Sequence, residues 1–411
     1  MGAGASAVAD ILVENGTISR IEPAIEAEEN MGVIDATGCV VCYGLADVHV
    51  HLREPGFSEK ETIATGSAAA ARGGFTTVCT MPNLMPAPDS LENLKLQQDI
   101  IDRDAVIEVR PFACITKGRS GGEVVDVAAL KGHCVGFSDD GSGVQSQERM
   151  LEAMQAIAAE GSILAAHCED ESLLYGGYIH DGEYCKAHGH KGICSESEWG
   201  PIVRDTELVA QSGCRYHICH MSAAESVAAL RRAKERGLPM SGETGPHYLT
   251  MTDMDIKEEG RFKMNPPIRS AADRDALIEG IKDGTIEVIA TDHAPHTAEQ
   301  KGRGLKDSAM GVVGIETSFA VIYTHLVRTG IITIEKAIEL MSENPRRIFN
   351  LGGALRVGER ADIAIFDITT PYNVDTSEFL SKGKATPFEG WELYGRCLAT
   401  LYGGKVVWSE K

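Results

Sequence analysis

No stretch of this 411-residue chain approaches the roughly 18 consecutive apolar residues of a membrane-spanning helix. The opening MGAGASAVAD also lacks the basic region and apolar run of an export signal. A soluble, cytoplasmic protein with no membrane contact is the expectation. Positive charge is scarce too: 39 Lys and Arg stand against 60 Asp and Glu, a formal net charge of −21. Such a field repels a phosphate backbone, which argues against nucleic acid as a partner. The eleven cysteines are odd in number and scattered, so they form no disulfide framework and read as reduced thiols. Cys39 and Cys42 make a C-x-x-C with no second pair at zinc-ribbon spacing, and are read as small buried strand residues. The Met-Gly-Ala-Gly-Ala-Ser start matches a myristoylation pattern only formally. Internal repeats and low-complexity tracts are absent as well.

What the chain does have is a cadence. Eight short apolar, β-branched segments each run into a polar, Gly or Pro element: VCYGLADVHVH, GFTTVCTMPN, EVRPFACIT, CVGFSDD, SILAAHCED, RYHICHMS, LPMSGETGPH and IEVIATDH. Helical stretches lie between most of them. SAAESVAALRRAKERG is bounded by Ser222 and Gly237, and SAADRDALIEGIKDG by Ser270 and Gly284. Eight alternations of strand and helix predict an α/β fold, a (β/α)8 barrel of the TIM type over residues 46–345, with its site at the C-terminal ends of the strands. The two ends of the chain carry strand-like pieces instead, ADILVENGTISRIEP and GVIDATG before the barrel, ALRVGERADIAIFD and CLATLYGGKVVW after it. They predict a small β domain built from 1–45 and 346–411.

The chemistry concentrates at the strand ends. In Asp47-Val-His49-Val-His51-Leu-Arg53, period two sets Asp47, His49, His51 and Arg53 on one face, so two imidazoles converge while Arg53 stands near enough to meet an anion. A lone H-x-H is weak evidence. Here Asp140 closes the fourth segment, His167 the fifth, His220 the sixth and Asp292 the eighth. Four imidazoles and two carboxylates at one barrel mouth make a ligand set for two Zn2+ ions per chain.

These residues and their surroundings resemble the dihydroorotase family. The resemblance lies in Asp47 to Arg53, Met81-Pro82-Asn83, Ser138-Asp139-Asp140-Gly141, Ala166-His167-Cys168-Glu169-Asp170, Met264-Asn265-Pro266-Pro267, Ala290-Thr291-Asp292-His293-Ala294-Pro295-His296 with Lys301 beyond, and the tail Ser381-Lys382-Gly383-Lys384 with Thr386-Pro387-Phe388. It covers nearly the whole chain from about residue 9, and looks like the bacterial branch in which an Asp, not a carboxylated Lys, bridges the metals. The resemblance implies that His49, His51 and Asp292 hold one zinc, His167 and His220 the other, and Asp140 both. Asp139 is the nearest competitor for bridging, and Asp140 is preferred as the second acid of the pair. It further implies that Arg53, Asn83 and Asn265 recognise a substrate carboxylate beside His51, while His296 and the backbone of Met310 and Gly311 hold the ring. Two departures stand out: Ala309-Met310-Gly311 replaces the usual Pro-Phe-Gly, and MGAGASA shortens or replaces the usual first strand.

The other histidines have plainer readings. His188 and His190 sit in a segment without strand pattern and are read as a surface loop. His217 falls on the far side of its strand from His220 as a packed or hydrogen-bonded residue, and His247 borders the site or is structural. Cys168 and Cys219 neighbour ligands along a strand and so are not counted among them, and Glu243 receives no metal role. The implied reaction is reversible cyclisation of N-carbamoyl-L-aspartate to L-dihydroorotate, with Asp292 shuttling the proton. The alternatives are another cyclic amidohydrolase (hydantoinase, dihydropyrimidinase or allantoinase) and a non-catalytic scaffold for aspartate transcarbamoylase. Association with that enzyme and homo-oligomerisation are the partner expectations beyond the small-molecule substrate.

Overall fold

The computed structural model describes residues 6–29 and 31–410. Residues 1–5, which carry most of the formal acylation match and of the altered start, lie outside the described residues. β1 (Asp10–Glu14) and β2 (Thr17–Glu22) form an antiparallel hairpin. Both residues of its turn, Asn15 and Gly16, have positive φ, 52° and 79°, the pairing that suits a two-residue hairpin. β3 (Cys39–Tyr43) and β4 (Leu45–Val50) are separated by Gly44 alone, yet belong to different sheets. A Cβ at Gly44 would lie 2.1 Å from Thr76 Oγ1, so the handover between sheets needs a residue without one. The sequence suggested one unbroken segment there. The structure divides it, because the sheet hydrogen bonds change partner at Gly44.

β5 (Phe75–Thr80) and β6 (Glu108–Pro111) pair parallel to β4 in the order β4-β5-β6. Then come β7 (Ile163–Ala166), the short parallel pair β8 (Ile179–His180) and β9 (Gly192–Ile193), and β10 (Arg215–Ile218), β11 (Met240–Thr244) and β12 (Val288–Ile289). β7, β10, β11 and β12 form a second parallel sheet in the order β12-β11-β10-β7. Single bridges join the two sheets. Phe137 pairs with Ala113 past β6 and with Leu164 in β7, and Val50 in β4 pairs with His293 past β12. Parallel pairing therefore runs in a closed circuit through all eight segments of the cadence. β4, β5, β7 and β11 are buried along their whole length, as expected where helices cover a parallel sheet.

The helix Ala271–Asp283 starts at Ser270, in a reciprocal cap with Asp273, and stops at Gly284, φ 81°. The helix Ala224–Glu235 departs from expectation: it starts after Ala223 with no side-chain cap, because the Ser222 hydroxyl bonds Glu198 instead.

The remaining strands are β13 (Ile363–Asp367), β14 (Tyr372–Asn373), β15 (Glu392–Leu393), β16 (Arg396–Tyr402) and β17 (Lys405–Ser409). Four strands from both ends of the chain make an antiparallel sheet, β17-β16-β13-β3. Period two sends Ile363 and Ile365 into a cluster with Ile18, Ala399 and Leu401, while Phe366, one residue on, stacks on Phe319 at 3.8 Å. Residues 32–38, expected to be strand-like, contain no strand. No helix among the described residues is long and apolar enough to cross a membrane.

Candidate active site

Six side chains expected at the strand ends meet in one buried cluster: His49, His51, Asp140, His167, His220 and Asp292, none more than 7% exposed. His49 lies inside β4, His51, His167, His220 and Asp292 follow their strands by one to three residues, and Asp140 lies three residues past the bridging Phe137, where the chain turns over the end of the parallel sheet. Three residues at this mouth have left-handed backbone, Arg53 (φ 62°), His220 (φ 34°) and Asp292 (φ 47°). Strain of this kind collects at functional sites.

Asp140 is the hub. Its Oδ1 lies 3.3 Å from His49 Nε2, 3.6 Å from His167 Nδ1 and 3.5 Å from His220 Nε2, while its Oδ2 lies 3.6 Å from His51 Nε2. Asp292 Oδ1 stands 3.0 Å from His51 Nε2 and 3.5 Å from His49 Nε2. On the other side His167 Nδ1 and His220 Nε2 face each other at 2.8 Å. Two groupings compatible with a metal ion result, His49-His51-Asp140 and Asp140-His167-His220. The donor chemistry fits: four imidazole nitrogens and two carboxylates suit zinc. His49 Nε2 and Asp140 Oδ1 are buried without a hydrogen-bond partner, a costly state that an ion between them would relieve. Burial opposes charge on His49, yet Asp140, Glu243 and Asp292 hold its pKa well above the ordinary value. The pocket thus has a field that calls for cations.

The competing acids separate cleanly. Asp139 turns away and accepts from the backbone of Ile115 at 2.8 Å and of Thr116 at 3.2 Å. Asp47 shares the parity of His49 but does not join the cluster. It accepts from Thr291 N at 3.2 Å and Thr291 Oγ1 at 2.5 Å, tying β4 to the segment after β12, and burial raises its pKa to about 6.

The sequence reading missed the residues that orient the rings. Glu243, at the end of β11, accepts from His49 Nδ1 at 2.6 Å, from His217 Nε2 at 3.1 Å and from the His220 backbone at 3.2 Å. That leaves His49 Nε2 as the free nitrogen facing Asp140. The signal was present, since an inward-facing acid in the buried strand MSGET needs a partner. Cys219, set aside by strand parity, lies with His49 and Glu243 in a third such grouping behind the first two. Glu169 stands 3.4 Å from His167 Nε2 and accepts from Asn265 Nδ2 at 2.8 Å. Arg119 donates to the Asp140 carbonyl at 2.6 Å, adding a second cation near Arg53.

The residues expected to meet a substrate line the same mouth. Asn83 Oδ1 accepts from His51 Nδ1 at 2.9 Å, so this side chain also fixes a ring of the cluster. Arg53 is buried, donates through Nε to the Pro295 carbonyl at 3.2 Å, and has its Nη2 3.4 Å from His296 Nε2. Among the described residues no carboxylate forms a salt bridge with it, and burial lowers its pKa to about 10. His296 Nε2 donates to the Met310 carbonyl at 2.6 Å, and Gly311 N donates to the Lys263 carbonyl at 3.1 Å. The Met310–Gly311 backbone is therefore held by the protein itself. Asn265 Oδ1 is buried and unpartnered.

Of the other histidines, His217 bonds Ser241 and Glu243, and His247 is buried with its pKa lowered to about 4 by burial. His188 closes the helix Glu183–His188, and His190 bridges Tyr178 and Glu258, so this segment is more ordered than a bare loop. Cys168 contacts the Tyr216 hydroxyl at 3.3 Å, away from the rings.

Comparison with known proteins gives the family. The Dihydro-orotase-like family matches residues 38–226. A dihydroorotase of Bacillus caldolyticus is 48% identical over 403 residues, 97% of this chain and 94% of that protein. One of Enterococcus faecalis is 47% identical over 406 residues, 98% and 95% of the two chains. Among solved structures, the L-hydantoinase (dihydropyrimidinase) of Arthrobacter aurescens superposes with a TM-score of 0.87 at 29% identity, covering 97% of this chain and 92% of its own. Dihydropyrimidinase of Brevibacillus agri NCHU1002 shares the fold, with a TM-score of 0.84 at 23% identity over 98% and 92% of the two chains. Near-half identity sustained from end to end, well above that to the hydantoinases of like fold, settles the kinship: this chain belongs to the dihydroorotase family.

Proposed function

We propose that this chain interconverts N-carbamoyl-L-aspartate and L-dihydroorotate with two zinc ions at the mouth of a (β/α)8 barrel, the step that closes the ring in pyrimidine biosynthesis. In this reading the closed pairing circuit is the barrel, and the sheet built from both ends of the chain is a small β domain packed beside it. His49, His51 and Asp292 would hold one ion, His167 and His220 the other, and Asp140 both, since its carboxylate faces rings of both sets. When bound, the ions would acidify a water and stabilise negative charge on the amide carbonyl oxygen.

The chain's own residues do the rest. In ring opening, Asp292 accepts the proton of the attacking water and delivers it to the leaving ring nitrogen, and the reverse order closes the ring. Arg53 takes the substrate carboxylate in a two-pronged contact, and the amides of Asn83 and Asn265 add neutral hydrogen-bonding groups. The neutral His296, its pKa lowered to about 3 by burial and the nearby Arg53, and the Met310–Gly311 backbone border the ring.

One observation carries the choice of substrate: a buried guanidinium with no carboxylate salt bridge among the described residues, beside two groupings that could hold metal ions, in a chain of net charge −21. Such a group calls for an anionic ligand, and dihydroorotate has the carboxylate that hydantoin and dihydrouracil lack. The test is metal analysis of the purified protein with assays on carbamoyl-aspartate, dihydroorotate, hydantoin and allantoin. About two zinc per chain and turnover of the first pair alone is the expected result. Preference for hydantoin or allantoin would overturn the substrate, and activity intact at less than about one metal per chain would overturn the centre.

A further inference from the structure

Lys301 is a buried lysine for which the chemistry above has no use. It ends the short helix Ala298–Lys301 and is 7% exposed. Its ammonium donates to three main-chain carbonyls, those of Lys263 at 2.9 Å, Ala309 at 2.7 Å and Gly311 at 2.6 Å. No carboxylate forms a salt bridge with it among the described residues, and burial together with the nearby Lys263 brings its pKa down to about 7. An ammonium offers three donors from one point, and here three carbonyls converge on it.

Those carbonyls belong to two segments of the site. One lies two residues before Asn265, and the other two flank Met310. Gly311 N adds a bond to the Lys263 carbonyl at 3.1 Å. The Ala309–Gly311 segment also sits tight against the loop after β12: with Gly311 at φ 121°, a Cβ there would lie 2.9 Å from Ala294 O. We infer that Lys301 is a positioning residue for ring recognition, clamping residues 309–311 to residues 263–265 so that Asn265 and the Met310–Gly311 backbone stand at fixed places around the substrate. This inference rests on the dihydroorotase reading of the site. It also accounts for the Ala309-Met310 departure from the family pattern, because a clamp on main-chain oxygens is indifferent to the side chains between them.

The test compares Lys301→Met, which removes every donor, and Lys301→Gln, which keeps some, with the wild type, all zinc-replete. KM and kcat for dihydroorotate, zinc content and amide hydrogen exchange of residues 309–312 are measured. A misplaced binding segment should raise KM by about tenfold to a hundredfold in Lys301→Met. kcat should stay within about threefold, with zinc unchanged, exchange faster and Lys301→Gln intermediate. KM within about twofold of wild type with unchanged exchange overturns the inference, as does a loss of zinc in step with activity, which would mark a general structural role. If Lys301→Met does not fold, Lys301→Gln decides by the same measures. If the wild type turns over neither dihydroorotate nor carbamoyl-aspartate, the functional reading fails, while the exchange comparison still judges the clamp.

Discussion

The two halves of the imidazole cluster are held in different ways. In the β4 half each ring is anchored through its outer nitrogen: His49 Nδ1 to Glu243 at 2.6 Å and His51 Nδ1 to Asn83 at 2.9 Å. In the other half His167 Nε2 has only Glu169 at 3.4 Å, and His220 Nδ1 is buried without a partner. A carboxylate or amide behind a ring fixes its tautomer and direction before any ion arrives. The β4 half is thus set by the protein alone, whereas the His167–His220 half is set by the two rings and by Asp140. The difference predicts unequal metal affinities, tighter at His49 and His51.

The largest effect should come from breaking the anchored half at its carboxylate. Asp292→Ala removes the proposed ligand and proton carrier together, and a loss of about 10² to 10⁴ in turnover is expected from the proton transfer alone. A variant keeping about a tenth of wild-type kcat would refute that double role. Glu243→Gln leaves every ligand in place and removes the charge behind His49, so zinc affinity should fall about 10- to 100-fold at one of two sites. Chelator competition, biphasic in the wild type, should then lose its tight phase, and equal loss at both sites would erase the distinction between the halves. Arg53→Met tests the neighbour that reads substrate without ligating: kcat/KM for dihydroorotate should fall roughly 30-fold at unchanged zinc content. Dihydrouracil, which has no carboxylate, should lose far less, and equal losses would make Arg53 a structural support. The smallest effect belongs to Glu169→Gln, where a contact of 3.4 Å should give under about a threefold change in zinc affinity. A larger drop than for Glu243→Gln would reverse the comparison.

Much of this was legible in the residues, for identifiable reasons. The eight segments stood out because buried parallel strands are continuously apolar, and the six cluster residues stood out as polar groups ending them. Parity along a strand was a coarser guide. It grouped Asp47 with His49, although Asp47 spends its oxygens on Thr291, and it set aside Cys219, which lies behind His49. Parity describes a regular strand, and the register of β4 shifts between Asp47 and Val50, while beyond the last ladder bond the chain is free to turn, as the positive φ of His220 and Asp292 records. Glu243 was overlooked because its partners come from β4 and β10, and only a closed circuit of strands brings those within reach of β11. Ser222 was misjudged for a similar reason: a local cap lost to Glu198, 24 residues away, which no window on one helix can see.

The left-handed backbone at His220 and Asp292 narrows what evolution or a designer can place there. Outside glycine, the residues that tolerate that conformation best are Asn, Asp and His, and two of these are themselves metal ligands. Backbone and metal chemistry therefore draw on the same short alphabet, and each position is constrained twice. Replacing His220 by a β-branched residue would strain the turn even if the ion were supplied by other means. A redesign of the proposed centre for another metal is accordingly freer at His49, which lies within β4 and outside the left-handed backbone region, than at the two positions where the chain bends into the mouth.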